Sequence, residues 1–149
     1  MELFGNEHFA EQPQDADVYK HPVAHGDVFI LATDGVWDNL SPEDVLKIVS
    51  AIMLKAKAWE VDRQGIARVG PGLAADLGAE GGEDLSMTLA TAIAKEAKEC
   101  GWNSRRDGPF AKEVKKQYPF ENWRGGKPDD ICVIVGVVIE DAWSASAKL

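Results

Sequence analysis

A chain of 149 residues with 25 acidic against 16 basic side chains carries a formal net charge of −9. That length fits one ordinary domain, able to bury about two-thirds of the surface its unfolded form exposes. No Lys/Arg run stands clear of interleaved acids, which argues against nucleic acid as a partner. No apolar run is long enough to span a bilayer, which argues against a membrane role.

Cys100 and Cys132 form no CxxC pair, and both read as buried, reduced thiols that suit an intracellular compartment. The first twenty residues lack a basic stretch followed by an apolar core, and they are too acidic for an Arg-rich transit peptide. Pro13, Asp15 and Asp17 then oppose a long regular element before Val18-Tyr19, so residues 1–26 are expected to be an extended approach. His8, His21 and His25 fall around Pro22 and Gly26 rather than on one helix face, and they read as surface loop residues, not ligands.

Val28 to Ala32 is a short continuous apolar run, the pattern of a strand covered on both faces. Asp34-Gly35 follows as a turn dipeptide, since Gly accepts positive φ and Asp bonds its own backbone. Ser41-Pro42-Glu43-Asp44 is a strong helix start: Ser41 as N-cap, Pro42 where no donor is needed, and acids at the positive dipole end. Val45, Leu46, Ile48, Val49, Ile52 and Met53 continue at helical spacing, and the helix is expected to run on towards Trp59.

Glycines from Gly65 to Gly82 break the periodicity, so residues 65–83 are expected to be a flexible insertion or a lid. From Asp84 a second helix presents Leu85, Leu89, Ile93, Ala97 and Cys100 on one stripe, with Gly101 as its stop. Residues 102–126 hold Arg105, Arg106 and Arg124 near Trp102 and Trp123; a phosphate clamp and a set of solvated arginines are both open readings. Ile131 to Ile139 is the strongest strand signal, β-branched apart from Cys132 and Gly136. The tail, 141–149, is small and polar and is expected to fray.

If the strands before Asp34 and after Asp129 lie antiparallel and adjacent, those two acids meet at one end of a sheet and can share a metal.

Residues 33–40, Thr-Asp-Gly-Val-Trp-Asp-Asn-Leu, and 126–131, Gly-Lys-Pro-Asp-Asp-Ile, resemble the C-terminal motifs of metal-dependent PP2C-type protein phosphatases. The surroundings agree: an apolar strand before the first motif, the helix at 41–49 after it, a Pro-Phe-Ala stretch at 109–111 and a long strand after the second motif. The resemblance covers residues 17–58 and 84–140, is weak over 59–83, and is greatest to the fungal and mitochondrial subgroup. It implies an α+β fold, the C-terminal part of an αββα sandwich with antiparallel sheets and packed helices.

By the same resemblance, Asp34 and Asp129 correspond to ligands of one ion in a paired Mn²⁺ or Mg²⁺ centre. Asp38 matches a position that helps bind a weaker third metal in some members, and a merely solvated acid is equally open there. Asp130 stands where many members carry Asn and is given no metal role. The chemistry implied is hydrolysis of phosphoserine or phosphothreonine in a phosphoprotein by activated water, because hard divalent ions favour carboxylate and water oxygens.

The departure is what the sequence lacks: an acidic pair, an Asp-Gly-His-Gly segment and a phosphate-gripping Arg stand earlier in family members and are not found here. The expectation is therefore that residues 1–149 form a partial domain, inactive alone, whose open sheet edges favour self-association or completion by another segment. A non-catalytic binding module derived from a phosphatase fold is the alternative, and an unrelated α+β domain with Asp34 as a turn residue is the plainest reading. Either a mitochondrial or a cytoplasmic location is compatible with the chain.

Overall fold

Two strands far apart in the chain form the sheet on which everything else is arranged. In the computed structural model, residues 12–73 and 84–140 are described. Strand β1 (Val28–Ala32) pairs antiparallel with β4 (Val133–Val137), Val28 opposite Val137 and Ala32 opposite Val133. The end of β1 and the start of β4 therefore coincide, and the acid-bearing segments leave the sheet at the same end. The strand expected over Ile131 to Ile139 is shorter, because its partner β1 stops at Ala32.

Between them come α1 (Asp34–Trp37), α2 (Pro42–Lys55), a hairpin of β2 (Trp59–Val61) and β3 (Ala67–Val69), α3 (Leu85–Gly101) and α4 (Pro109–Gln117). Helix α2 starts as its sequence dictates. The Ser41 hydroxyl accepts from the Asp44 N–H at 3.2 Å, and the Asp44 carboxylate accepts the Ser41 N–H at 3.1 Å, a reciprocal cap. The helix does not reach Trp59. Lys57 takes a left-handed φ of 56°, and the Ala58 and Lys57 N–H groups return to the Met53 and Leu54 carbonyls at 2.9 and 3.1 Å. This is a Schellman ending with Lys at the position that Gly usually holds, so the stop carries no glycine signal.

The core lies between one face of the sheet and the two long helices. Val45, Val49 and Met53 of α2 meet Leu89, Ile93 and Ala97 of α3, together with Val36 and Leu40, all buried, against Val28, Ile30, Val133 and Val135 from the strands. Each fully buried aliphatic side chain of this size contributes roughly 1.5–3 kcal/mol. The α3 stripe is buried in full, while Leu46 of the expected α2 stripe is exposed.

The other face of the sheet is open. Phe29, Leu31 and Ile134 keep 50, 63 and 57% of their surface exposed, so β1 is covered on one side and not on both. The reason is that helices pack on only one face of a two-stranded sheet among the described residues. On the unpaired side of β1, an apolar groove of about 590 Å³ is lined by Val23, Ile30, Trp37, Val45, Leu46 and Trp59.

The stretch expected to be an insertion contains β3, and the turn before it is closed by the Asp62 carboxylate, which accepts from the Gln64 and Ile66 N–H groups and binds Arg68. Cys132 is exposed rather than buried, since it precedes β4, whereas Cys100 is buried in α3. Gly35 is not a positive-φ turn residue but part of α1. Residues 74–83, His8 and the tail 141–149 lie outside the described residues.

Candidate metal centre

Strand β1 ends at Ala32, and Thr33 turns the chain into α1, placing Asp34 and Asp38 one turn apart on the same side. Asp129 arrives from the segment leading into β4. One carboxylate oxygen each from Asp34, Asp38 and Asp129 lies within 4.8 Å of the others, with Asp34 and Asp129 exposed and Asp38 half-buried. Three converging carboxylates open to water are a donor set suited to a hard divalent ion. The sequence had linked the first and last of these acids through strand pairing, and the structure brings all three together.

Several contacts that sequence reading had not identified hold the two segments in register. Thr33 Oγ1 donates to the Asp130 carbonyl at 2.8 Å and accepts the Cys132 N–H at 3.0 Å. Gly35 passes so close to the Asp130 backbone that a Cβ would collide with that carbonyl, which is why the residue after Asp34 has no side chain. Asn39, only 1% exposed, is the main clamp. Its amide donates to the Gly35 and Lys127 carbonyls at 2.9 and 2.8 Å, and its oxygen accepts the Lys127 N–H at 2.8 Å. A buried Asn between two acid-bearing segments was the available signal, masked in the sequence by its place before a helix cap.

Lys127, until now only a letter in a motif, reaches directly into the acids. Its ammonium lies 2.6 Å from Asp38 Oδ2 and 2.9 Å from Asp129 Oδ2, above the Phe110 ring at 4.9 Å from its centroid. The Asp38 and Asp129 bonds hold the ammonium well above its usual pKa. The Lys127 bond, then the Asp130 N–H at 2.9 Å, holds the Asp129 carboxyl below the ordinary carboxylate range. Asp34, by contrast, makes no side-chain hydrogen bond among the described residues. Beside Asp129 a cleft of about 510 Å³ opens between the end of α3 and residues 128–131, lined by Lys98, Trp102 and Pro128 among others.

The arginines do not form a clamp at these acids. Arg106 turns to Asp44 at 3.1 Å and Glu96 at 2.9 Å, and it donates to Cys100 Sγ. Arg105 and Arg124 are exposed. Burial pushes the Cys100 thiol up to about 11. Among the three histidines, His25 Nδ1 accepts the Glu140 N–H at 2.9 Å and His21 is exposed.

The described residues form an antiparallel sheet with helices on one face and carboxylates gathered at the strand ends. A solved structure described as the photosystem II phosphatase PBCP matches it with a TM-score of 0.59, over 89% of this chain and 44% of that one, at 21% identity. No family model matches the chain. Among curated proteins, protein phosphatase 2C homolog 7, mitochondrial, from Saccharomyces cerevisiae is 30% identical over 131 residues, spanning 88% of this chain and 30% of the relative. The protein phosphatase PTC7 homolog fig of Drosophila erecta is 27% identical over 131 residues, spanning 88% of this chain and 33% of the relative. In sequence and fold the chain is similar to PP2C-type phosphatases, on the side of the fungal and mitochondrial subgroup. It spans about a third of the length of these curated relatives.

Proposed function

We infer that this chain is the part of a PP2C-type protein serine/threonine phosphatase domain that supplies Asp34, Asp129 and Asp38 as ligands for Mn²⁺ or Mg²⁺. The single observation that carries the reading is the meeting of these three acids on a chain similar to PTC7-type phosphatases. When bound, a divalent pair supplies a water acidic enough to act as the nucleophile on phosphorus. The chain's own residues then have defined tasks. Asp34 and Asp129 would hold the ion from opposite segments and Asp38 would border it, while Asn39 and Thr33 keep the segments together.

Among the described residues these carboxylates leave most of an octahedral shell to water and offer no further acid to bridge a second ion, so on this reading the chain alone is inactive and residues 1–149 are a C-terminal partial domain. The open face around Phe29, Leu31 and Ile134 supports the same reading, because in a complete sandwich that face is where the second sheet packs. In the complete domain the substrate is a phosphoprotein, and the location is intracellular, mitochondrial or cytoplasmic; the yeast relative is mitochondrial by name. Among the described residues no helix is long and apolar enough to cross a membrane.

A second reading, a non-catalytic binding module that uses its helices and sheet edge for partner contact, draws on that exposed surface. Mn²⁺ with p-nitrophenyl phosphate separates the readings. The chain alone should give no turnover above the metal blank, while Asp34→Ala and Asp129→Ala should each lose Mn²⁺ binding. Turnover abolished by Asp34→Ala would overturn the incomplete site, and binding untouched by either substitution would favour the binding module.

A further inference from the structure

Resting on the metal reading above, we propose that Lys127 is a built-in counter-ion that occupies the acidic site in the absence of metal and sets its metal affinity by competing for the same carboxylate oxygens. The geometry is specific. Lys127 bridges Asp38 and Asp129 at 2.6 and 2.9 Å, leaving Asp34 as the acid it does not engage. Its position is not incidental, since Asn39 fixes its backbone N–H and carbonyl and the Phe110 ring lies under the ammonium. Without a cation, three carboxylates within 4.8 Å of one another repel, and a tethered ammonium relieves that repulsion at every moment when no ion is bound.

An arriving divalent ion must displace the ammonium from Asp38 Oδ2 and Asp129 Oδ2 to settle among the three carboxylates. Asp34 is the natural first point of attachment, being free of such a partner among the described residues, and Lys127 then withdraws towards solvent. The residue thus keeps the site assembled when empty and makes the ion exchangeable when full. A merely structural lysine would have the opposite effect on binding when removed, because loosening the segments would weaken the site.

The test is a titration of the 149-residue chain with Mn²⁺, following the loss of the free-ion EPR signal, for the wild type, Lys127→Met, Lys127→Arg and Asp129→Asn. Circular dichroism confirms that each variant is folded. Lys127→Met keeps the length of the side chain without its charge and should bind Mn²⁺ roughly tenfold tighter, the equivalent of one net charged hydrogen bond no longer broken. Without metal it should melt earlier than the wild type and gain more from Mn²⁺, whereas Lys127→Arg should stay near the wild-type affinity. If Lys127→Met binds no tighter while Asp129→Asn loses binding, the counter-ion role is wrong and the metal reading stands. If no variant binds Mn²⁺, both are wrong.

Discussion

Replacing Asn39 by Ala should cost far more than the loss of one small polar side chain. Asn39 is 1% exposed and makes three hydrogen bonds, two donated to the Gly35 and Lys127 carbonyls and one accepted from the Lys127 N–H. Truncation leaves those three backbone groups without their partner in a site that water cannot easily enter, and at ~1 kcal/mol each the loss is about 3 kcal/mol. For a chain of this size each kcal/mol lowers the melting temperature by about 2–4 °C, so a fall of roughly 6–12 °C is expected. Asn39→Asp keeps the acceptor, gives up both donated bonds and sets a negative charge against two carbonyls, so it should be at least as damaging. Urea unfolding followed by tryptophan fluorescence gives the free energies, and a Mn²⁺ titration of the surviving folded fraction reports on the site. A loss below ~1 kcal/mol would refute the idea that this clamp joins the two acid-bearing segments.

Ser41→Ala should destabilise the chain by about 1 kcal/mol near neutral pH through loss of the α2 cap. The Asp44 carboxyl is held below its ordinary value of 3.8 by the Ser41 N–H and hydroxyl, and then by Arg106. A depressed folded-state pKa gives stability that is present above the ordinary value and is lost as pH falls through the folded one, so urea curves should show the gap between variant and wild type narrowing in acid below that range, without closing, because the bond from the Asp44 N–H to the hydroxyl is neutral. Leu31→Lys, on the open face, should leave the melting temperature of the isolated chain nearly unchanged while reducing its association in sedimentation velocity; a drop of several degrees in the dilute monomer would mean that the chain's own residues cover the face. In the native chain iodoacetamide should modify Cys132 rapidly and Cys100 only on unfolding, as judged by peptide mass spectrometry, because Cys100 is buried and its thiol is pushed up to about 11.

What could be read from the sequence was what local chemistry decides. The Ser41-Pro42 start of α2 and the α3 stripe from Leu85 to Cys100 needed no tertiary information, whereas the antiparallel pairing that brings Asp34 to Asp129 entered the sequence reading as a condition that the sheet then meets. The misreadings arose where the deciding contact came from elsewhere in the chain. Lys57 ends α2 in a left-handed conformation without a glycine, so the hairpin at Trp59 was hidden. Gly35 is demanded by the Asp130 backbone and not by its own φ, and a turn dipeptide cannot be told from a close approach without the partner strand. The exposed face of β1 looks like the buried strand its composition promised, because composition reports what a strand is built to be covered by and not what is present to cover it. Asn39 and Lys127 act on groups nearly ninety positions away from each other in the chain, and no local pattern marks either.

Asp34 and Asp129 as ligands of one divalent ion, with Asp38 bordering it, can be tested on crystals of the chain soaked in MnCl₂. Anomalous difference density collected at the manganese edge should show a peak among the three carboxylates, with Lys127 withdrawn from Asp38 and Asp129. Density with no peak there, Lys127 still bridging the two acids at saturating Mn²⁺, would contradict it.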